Sequence, residues 1–155
     1  MVTIVIVNWN SGTQLRECIE SIFNYGGSCV SGVVVVDNYS SDNSQEFADD
    51  LPGVKLVRNS KNVGFARARN ICSKYVVSKY LLFLNPDASL FKDTISDVLS
   101  FMDDPLNSAY GICGVQLIDS EVNVLRSCAR FPSPLTLFFH SVGGQNFSIS
   151  WLFYD

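Results

Sequence analysis

The chain has 155 residues, of which 47% are hydrophobic and 17% charged, and its formal net charge at pH 7 is −4. This length predicts one domain with one core, and the composition excludes an intrinsically disordered chain. The acidic charge, with no lysine or arginine block, excludes a protein that grips the backbone of a nucleic acid.

Apolar runs and the polar stretches between them predict the secondary structure of the N-terminal half. The predicted elements are, in chain order, a strand at 2–7, a helix at about 12–24, a strand at 32–37, a helix at 42–50, a strand at 54–59, a helix at 63–76 and a strand at 79–84. The 54–59 strand alternates and is expected near an edge, whereas the other three are continuous apolar runs, expected to be buried on both faces. The alternation of strands and helices predicts an α/β fold, with a mostly parallel sheet and helices on both faces.

The following segment is predicted to add one helix and an antiparallel or mixed element. Its elements are a helix at 94–102, opened by Asp93 or Thr94 and ended before Pro105, and strands at 110–118 and 122–127, joined by a turn of Asp119, Ser120 and Glu121. The remaining stretch, 133–155, is apolar and aromatic, and we expect it to begin a region that the chain does not complete.

Cysteine usage and hydropathy predict a protein without disulfides or a membrane span. The five cysteines are odd in number and include no C-x-x-C pair, which predicts reduced thiols. Met1 is followed at once by the strand-like run VTIVIV, with no basic region, so no signal peptide is expected. No apolar stretch reaches the roughly 18 residues that a membrane-spanning helix needs. We therefore expect a cytoplasmic protein, at most peripheral to the inner face of the cell membrane.

Polar side chains collect where the predicted strands end. Because the carboxyl ends of parallel strands lie along one edge of a sheet, and ligands bind in the crevice outside that edge, these residues are expected to share one cleft. They are Asn8 and Asn10 after the first strand, Asp37 and Asn38 after the second, Asn59 and Asn62 after the third, and Asn85 and Asp87 after the fourth.

Two aspartates near the second strand each have a binding and a structural interpretation. Asp37 follows four valines, where a buried strand first meets solvent, and we favour it as an acceptor of hydrogen bonds from a ribose or a base edge. Its structural alternative is a helix N-cap, a role that Ser40, Ser41 or Asp42 could also fill. For Asp42 the two interpretations are balanced.

The sequence NVGFARARN at 62–70 places Gly64 in the first turn of a predicted helix. The missing side chain lets a ligand approach the backbone, and the free amide groups of that turn favour an anion. Arg67 and Asn70 are three residues apart and share a face of the helix. Taken alone, the pattern does not favour a binding site over a solvated helix.

The fourth strand ends in Asn85, Pro86 and Asp87. Pro86 restricts the backbone, Asp87 is a hard oxygen ligand, and Asn85 can add a neutral oxygen or a hydrogen bond. These donors suit a Mg²⁺ or Mn²⁺ ion whose coordination is completed by water and diphosphate oxygens. The structural alternative is that Asp87 only caps the following segment.

Four stretches carry a family resemblance: VTIVIVNWNSGTQLRECIESI, VVVVDNYSSDNS, NVGFARARN and LLFLNPDASL. In order and spacing they resemble the donor-binding half of the family 2 glycosyltransferases with the GT-A fold, especially the bacterial rhamnosyltransferase-like members. The resemblance implies a Rossmann-like GT-A fold whose C-terminal part is truncated. It makes residues 1–132 a nucleotide-sugar-binding portion and residues 133–155 the start of an incomplete acceptor-side region.

The resemblance also implies roles for the residues at the strand ends. Asn8, Asn10 and Asp37 would lie near the nucleoside of a nucleotide-sugar donor, and Gly64 near its phosphates or sugar. The residues expected to bind the donor are Asn8, Asn10, Asp37, Asn38, Asn62, Gly64, Arg67 and Asn85. The sequence NPD would occupy the place of the family's D-x-D motif, with Asp87 as the metal ligand. Asn85 replaces the first acidic position of that motif, which puts the strength of metal binding in question.

No catalytic residue is assigned from the resemblance. An inverting enzyme of this family needs a carboxylate base to deprotonate the acceptor hydroxyl, and that base lies in the acceptor-binding half, beyond the end of this chain. Asp119 and Glu121 lie in a predicted hairpin turn and are favoured as solvated turn residues. Cys72 stands where relatives often carry a glycine, and the connection from there to the NPD strand is shorter than the resemblance predicts.

The expected function is metal-assisted, inverting transfer of a sugar from dTDP-rhamnose or a UDP-sugar to a glycan or lipid-linked acceptor in polysaccharide biosynthesis. The alternative is a truncated, inactive module that binds nucleotide sugars. A nucleotidyltransferase or a dehydrogenase is disfavoured because no glycine-rich loop follows the first strand. A phosphoacceptor receiver domain is disfavoured because Asn8 and Asn10 stand where an acidic pair is needed.

The apolar stretch 133–155 has several interpretations. It could dock on the sheet as a C-terminal helix, face a membrane or a partner, or promote self-association of the chain. His140, the single histidine, lies in this stretch and is not expected to be a ligand. No nucleic-acid partner is expected.

Overall fold

The computed structural model describes residues 1–125, 127 and 134. Contacts between residues divide the chain into two compact units, with the division between Gly111 and Ile112. The predicted boundary between residues 132 and 133 stays a prediction. The interpretations of the apolar stretch 133–155 lie outside the described residues, apart from residue 134.

The first unit contains a four-stranded sheet whose spatial order is β3-β2-β1-β4. Its strands are β1 (Val2–Asn8), β2 (Val30–Asp37), β3 (Val54–Arg58) and β4 (Tyr80–Phe83). All three neighbouring pairs are parallel. The predicted α/β class and parallel sheet are therefore confirmed, with each strand at its predicted place in the chain.

Three helices accompany the sheet: α1 (Gln14–Tyr25), α2 (Phe65–Ser73) and α3 (Thr94–Asp103). Leu15, Ile19 and Ile22 of α1 share a hydrophobic cluster with Ile95 of α3, formed with inward-facing residues of β1 and β2. On the other face, Ala68 and Cys72 of α2 contribute to a second cluster with valines of β1 and β2. Helices cover both faces, as predicted.

The helix predicted at 42–50 is wrong. This segment is a loop with one short 3₁₀ turn, Glu46–Ala48. Asp42 Oδ1 accepts a hydrogen bond from the backbone N–H of Ser44 at 3.1 Å, and Asn43 has a left-handed φ of 58°. Such local side-chain-to-backbone bonds compete with helix formation, which explains why helical composition did not produce a helix here.

The two edge strands differ in how well they were predicted. β3 is an edge strand, as its alternating sequence indicated. The prediction that the 79–84 strand is buried on both faces is wrong, because the residues of β4 are half-buried or exposed, and within the described part of the chain β4 forms the other edge. Phe83 is 43% exposed. A continuous apolar run does not distinguish an edge strand from a central one.

The described part of the second unit contains a short antiparallel pair, β5 (Leu117–Ile118) and β6 (Val124–Leu125). Both strands are shorter than predicted, but the turn is where it was expected. Asp119 Oδ1 accepts hydrogen bonds from the backbone N–H groups of Glu121 and Asn123, both at 2.9 Å. Hydrogen bonds from Asn123, first from its backbone and then from its side chain, lower the pKa of Asp119, which stabilises the turn.

The four cysteines in the described part of the chain, Cys18, Cys29, Cys72 and Cys113, form no disulfide with one another. No helix in the same part is long and apolar enough to cross a membrane.

Because Cys18 and Cys72 are buried thiols, we expect the protein to lose stability at alkaline pH. Burial, with a smaller contribution from Asp87, raises the pKa of Cys18 from 9.0 to about 12, and burial raises that of Cys72 from 9.0 to about 11. Above pH 9 the unfolded chain therefore binds fewer protons than the folded chain. The free energy of unfolding should fall as pH rises from about 9 toward 11, by at most about 1.4 kcal/mol per pH unit for each thiol.

Urea unfolding between pH 8 and pH 10.5 measures this slope. Cys18→Ala and Cys72→Ala should each make the stability less dependent on pH in that range, whereas Cys113→Ala, which replaces an exposed thiol, should keep the original slope. Equal slopes in all four proteins would contradict the prediction.

Candidate functional site

A cleft of about 530 Å³ opens at the carboxyl ends of the strands. The chain runs from β1 outward through β2 to β3 and then returns to the other side of β1 as β4, so the strand order reverses between β1 and β4. Such a reversal is where open α/β sheets bind ligands. The cleft is lined by Val7, Trp9, Asn10, Ser11, Gln14, Asn38, Asn62, Gly64, Phe65, Asn85, Pro86 and Asp87.

The structure brings six of the nine predicted site residues to this cleft: Asn10, Asn38, Asn62, Gly64, Asn85 and Asp87. Asn8 and Asp37 lie beside it but are buried, at 0% and 3% exposure. Arg67 is exposed on α2 and does not line the cleft.

Asn8 and Asp37 are paired across the sheet, where β1 and β2 run in register. Asp37 Oδ1 accepts a hydrogen bond from Asn8 Nδ2 at 2.9 Å, and Oδ2 accepts one from the backbone N–H of Ser40 at 3.1 Å. Asn8 Nδ2 also lies 2.8 Å from Ser44 Oγ. In this structure the Asp37 carboxylate holds the loop that follows β2.

The loops after β1 and β2 are tied to each other. The backbone N–H of Asn10 donates to Ser40 Oγ at 3.0 Å, and Asn10 Oδ1 accepts from the backbone N–H of Ser41 at 2.8 Å. Asp42 Oδ2 accepts from the backbone N–H of Gly12 at 2.8 Å. Desolvation acts to raise the pKa of Asp42, but hydrogen bonds from Ser44 and Gly12 lower it below its ordinary value. These ties position Asn10, with its neighbours Trp9 and Ser11, at the cleft.

A second set of hydrogen bonds shapes the N-terminus of α2. Asn38 Nδ2 donates to Asn62 Oδ1 at 2.8 Å, while Asn38 Oδ1 accepts from the backbone N–H of Val63 at 3.0 Å. Asn62 Oδ1 also accepts from the backbone N–H of Gly64 at 2.9 Å. Asn38 and Asn62 therefore connect the end of β2 to the start of α2.

Gly64 is the residue just before α2, one position earlier than the predicted first turn. Its φ of 82° and ψ of 156° are accessible almost only to glycine. A Cβ at this position would meet no atom within 4 Å, so the space in front of the helix is open toward the cleft. The first amide groups of any helix have no acceptor within it, which makes this end suitable for an anion.

Several residues that line the cleft were not predicted from the sequence, because their side chains carry no reactive group. Trp9 and Phe65 are large aromatic residues that are 58% and 53% exposed. The guanidinium carbon of Arg69 lies 3.6 Å from the ring centroid of Phe83 and 5.3 Å from that of Phe65. A signal was present in the sequence, since Trp9 lies between two asparagines directly after a buried strand.

The NPD sequence forms a turn at the edge of the cleft. The carbonyl oxygen of Asn85 accepts a hydrogen bond from the backbone N–H of Ala88 at 3.2 Å, which places Pro86 and Asp87 at the two central positions. Proline is favoured at the first of these because its φ is already suitable. Asn85 and Asp87 are exposed and line the cleft.

The oxygen donors at this turn are few. Asp87 supplies a carboxylate and Asn85 an amide oxygen, and no group of three or more His, Cys, Asp or Glu side chains within the described residues could enclose a metal ion. Such a donor set fits Mg²⁺ or Mn²⁺ held mainly by water and by the oxygens of a bound ligand, and it does not fit an all-protein metal site.

Comparison with known proteins identifies the family of the chain. The family model described as "Glycosyl transferase family 2" matches residues 3–148. The chain belongs to this family. The predicted resemblance to family 2 glycosyltransferases is therefore confirmed.

One relative of this family 2 chain is the minor teichoic acid biosynthesis protein GgaB of Bacillus subtilis (strain 168). It is 31% identical over 110 residues, which are 68% of this chain and 12% of the relative. The chain thus spans far less than two thirds of the relative's length.

Two solved structures resemble the fold. The mannosyltransferase PcManGT of Pyrobaculum calidifontis, in complex with GDP-Man and Mn²⁺, is 23% identical with a TM-score of 0.61, over 67% of this chain and 32% of that one. TarS of S. aureus is also 23% identical, with a TM-score of 0.60 over 66% of this chain and 32% of that one. These likenesses confirm the predicted GT-A fold.

Proposed function

We propose that the chain is the donor-binding part of a glycosyltransferase that takes a sugar from a nucleoside diphosphate sugar. The observation that carries the proposal is the cleft where the strand order reverses between β1 and β4. There Gly64, at the N-terminus of α2, and the carboxylate of Asp87 line the same space, in a chain of the family 2 glycosyltransferases. A diphosphate needs both hydrogen-bond donors and a means of neutralising its charge, and these two features can supply them.

The donor would lie with its phosphates between the N-terminus of α2 and the NPD turn. The amide groups at the start of α2 would donate hydrogen bonds to the diphosphate, with Gly64 leaving the approach open. The nucleoside would lie toward Asn10 and Asn38. We keep dTDP-rhamnose and UDP-sugars as the proposed donors.

A Mg²⁺ or Mn²⁺ ion would be held by Asp87 and Asn85 on the protein side. When bound, such an ion neutralises negative charge that develops on the departing diphosphate. The mannosyltransferase neighbour is described in complex with Mn²⁺. A single carboxylate predicts weak metal binding in the absence of the nucleotide.

Transfer with inversion requires a carboxylate base beside the acceptor hydroxyl. Asp87 is the single acidic side chain lining the cleft within the described residues, and we assign it to the metal rather than to the base. The glycan or lipid-linked acceptor stays a proposal, supported by the name of the Bacillus relative, which concerns teichoic acid biosynthesis. Cytoplasmic location, peripheral membrane contact and self-association likewise stay predictions.

A second candidate function is binding of a nucleotide sugar without transfer. It is favoured by the composition of the cleft, whose described lining contains one carboxylate where an inverting enzyme needs a metal ligand and a base. The two candidates share the donor site and differ in turnover.

Thermal unfolding with UDP, dTDP, GDP and ADP, each with and without Mn²⁺, tests the donor site. A ligand at about 100 times its dissociation constant adds about 2.7 kcal/mol to the folded state, which corresponds to roughly 5–10 °C for a chain of this size. We expect a shift of this size for UDP or dTDP with Mn²⁺, and none for uridine or thymidine, which lack the diphosphate. No shift with any of the four diphosphates would contradict the proposal.

Release of the nucleoside diphosphate from UDP-sugars and dTDP-rhamnose, with water as acceptor, separates the two candidates. Slow release by a chain that is stabilised by the same nucleotide supports the transferase. Stabilisation without release supports the binding module.

A further inference from the structure

Helix α1 contacts the NPD turn through two small polar side chains that no proposed step of donor binding uses. Cys18 Sγ donates to the carbonyl oxygen of Asn85 at 3.5 Å. Ser21 Oγ accepts from the backbone N–H of Leu90 at 2.9 Å and donates to the carbonyl oxygen of Cys18 at 2.7 Å. The two contacts lie at either end of residues 85–90, which we term the NPD segment, and Asp87 lies between them.

The bond between Leu90 and Ser21 is buried and the bond between Cys18 and Asn85 is part-buried, although the Asp87 side chain between them is exposed. Cys18, Ser21 and Leu90 are 0%, 7% and 6% exposed. A buried bond is shielded from competition with water, which makes it suitable for fixing backbone position.

The NPD segment needs such support because it has left the sheet. β4 ends at Phe83, and the last ladder bond to β1 runs from the backbone N–H of Leu84 to the carbonyl oxygen of Val5 at 3.0 Å. Beyond it, the bond from Ala88 to Asn85 closes the turn on itself but does not attach it to the rest of the protein. Within the described residues, the hydrogen bonds of Cys18 and Ser21 attach the segment to α1, and the Leu90 side chain packs in the core cluster beside them.

We propose that Cys18 and Ser21 are positioning residues that hold the NPD segment on α1 and so aim the Asp87 carboxylate at the ligand in the cleft. They touch neither the ligand nor the ion, and act by fixing the backbone on both sides of Asp87. This inference rests on the proposed function for its metal and nucleotide, but the hold on the segment can be measured without either.

Hydrogen exchange of the Ala88 and Leu90 amides is the first measurement, made on the unliganded chain. Ser21→Ala removes the acceptor of the Leu90 amide, and Cys18→Ala removes the donor to Asn85. Both variants should exchange these amides faster, whereas Cys18→Ser, which keeps a donor, should resemble the original chain. The control is Cys72→Ala, which removes a buried thiol on the opposite face of the sheet.

Binding of Mn²⁺ is the second measurement, followed by its free electron paramagnetic resonance signal in the presence of UDP or dTDP. Groups that orient a metal ligand typically change metal affinity by about 10- to 100-fold when removed. Ser21→Ala and Cys18→Ala should weaken Mn²⁺ binding in this range and leave nucleotide affinity without metal within about twofold. Cys72→Ala and Cys18→Ser should bind Mn²⁺ as the original chain does.

The outcomes separate this inference from the proposed function. Unchanged exchange of both amides in Ser21→Ala and Cys18→Ala would overturn the inference, as would a loss of Mn²⁺ binding in Cys72→Ala equal to theirs. An original chain that binds neither nucleotide nor Mn²⁺, yet shows the predicted exchange pattern, would overturn the proposed function and support the hold of α1 on the segment.

Discussion

Asp87→Asn is expected to weaken Mn²⁺ binding in the presence of a nucleoside diphosphate by about 100-fold or more. The substitution keeps the size of the side chain and removes the one acidic group that lines the cleft within the described residues. A metal ligand contributes several kcal/mol through its charge, so a neutral amide cannot replace it. Isothermal titration of Mn²⁺ into the chain with UDP or dTDP measures the difference.

The matched control is Asp97→Asn. Asp97 is an exposed aspartate on α3, outside the cleft lining, so the substitution removes the same charge from the same unit. It should leave Mn²⁺ affinity within about twofold, because Asp97 does not line the cleft and salt in the solvent screens an exposed charge. Equal Mn²⁺ affinities for Asp87→Asn and the original chain would exclude Asp87 as a metal ligand.

Asp37→Ala is expected to lower the free energy of unfolding by about 3 kcal/mol, or roughly 6–12 °C in melting temperature. Asp37 is 3% exposed, and its two oxygens accept hydrogen bonds from Asn8 and from the backbone of Ser40. Hydrogen bonds to a charged group contribute about 1.5–3 kcal/mol each, and their loss leaves the half-buried backbone N–H of Ser40 without its acceptor. Chemical denaturation gives the value directly.

Asp50→Ala is the control for this substitution, because Asp50 is exposed and makes no side-chain hydrogen bond or ion pair in the described part of the chain. Its effect should stay within about 0.5 kcal/mol. An Asp37→Ala chain that keeps its stability but loses stabilisation by every nucleotide would contradict the structural role described above. It would support the direct ligand contact that the sequence favoured.

Asp87 and Asp37 show which features of the site could be predicted from the sequence. Asp87 follows a proline at a strand end, and a local turn was enough to bring it to the cleft. Asp37 also ends a strand, so sequence placed it beside the cleft, but its burial depends on Asn8 of the neighbouring strand and on a loop that folds back over it. Burial of a polar side chain depends on contacts between segments that are distant in sequence, which a local pattern does not contain.

The strands of the parallel sheet, the three helices α1, α2 and α3 and the position of the cleft were determined by the sequence itself. The spacing of apolar residues, the apolar content of each strand and the polar residues at strand ends are local properties of the sequence. Because parallel strands are joined by crossover connections, their carboxyl ends lie along one edge of the sheet, and the polar residues are therefore predicted to meet there. Residues 42–50 form a loop because of a local bond, from the backbone N–H of Ser44 to Asp42, that competes with a helix. Tertiary structure alone decided that β4 lies at an edge of the sheet within the described residues, and that α1 contacts the NPD segment through Cys18 and Ser21. Each of these depends on which backbone and side-chain groups meet across the fold, because a buried hydrogen bond forms only where a distant partner completes it.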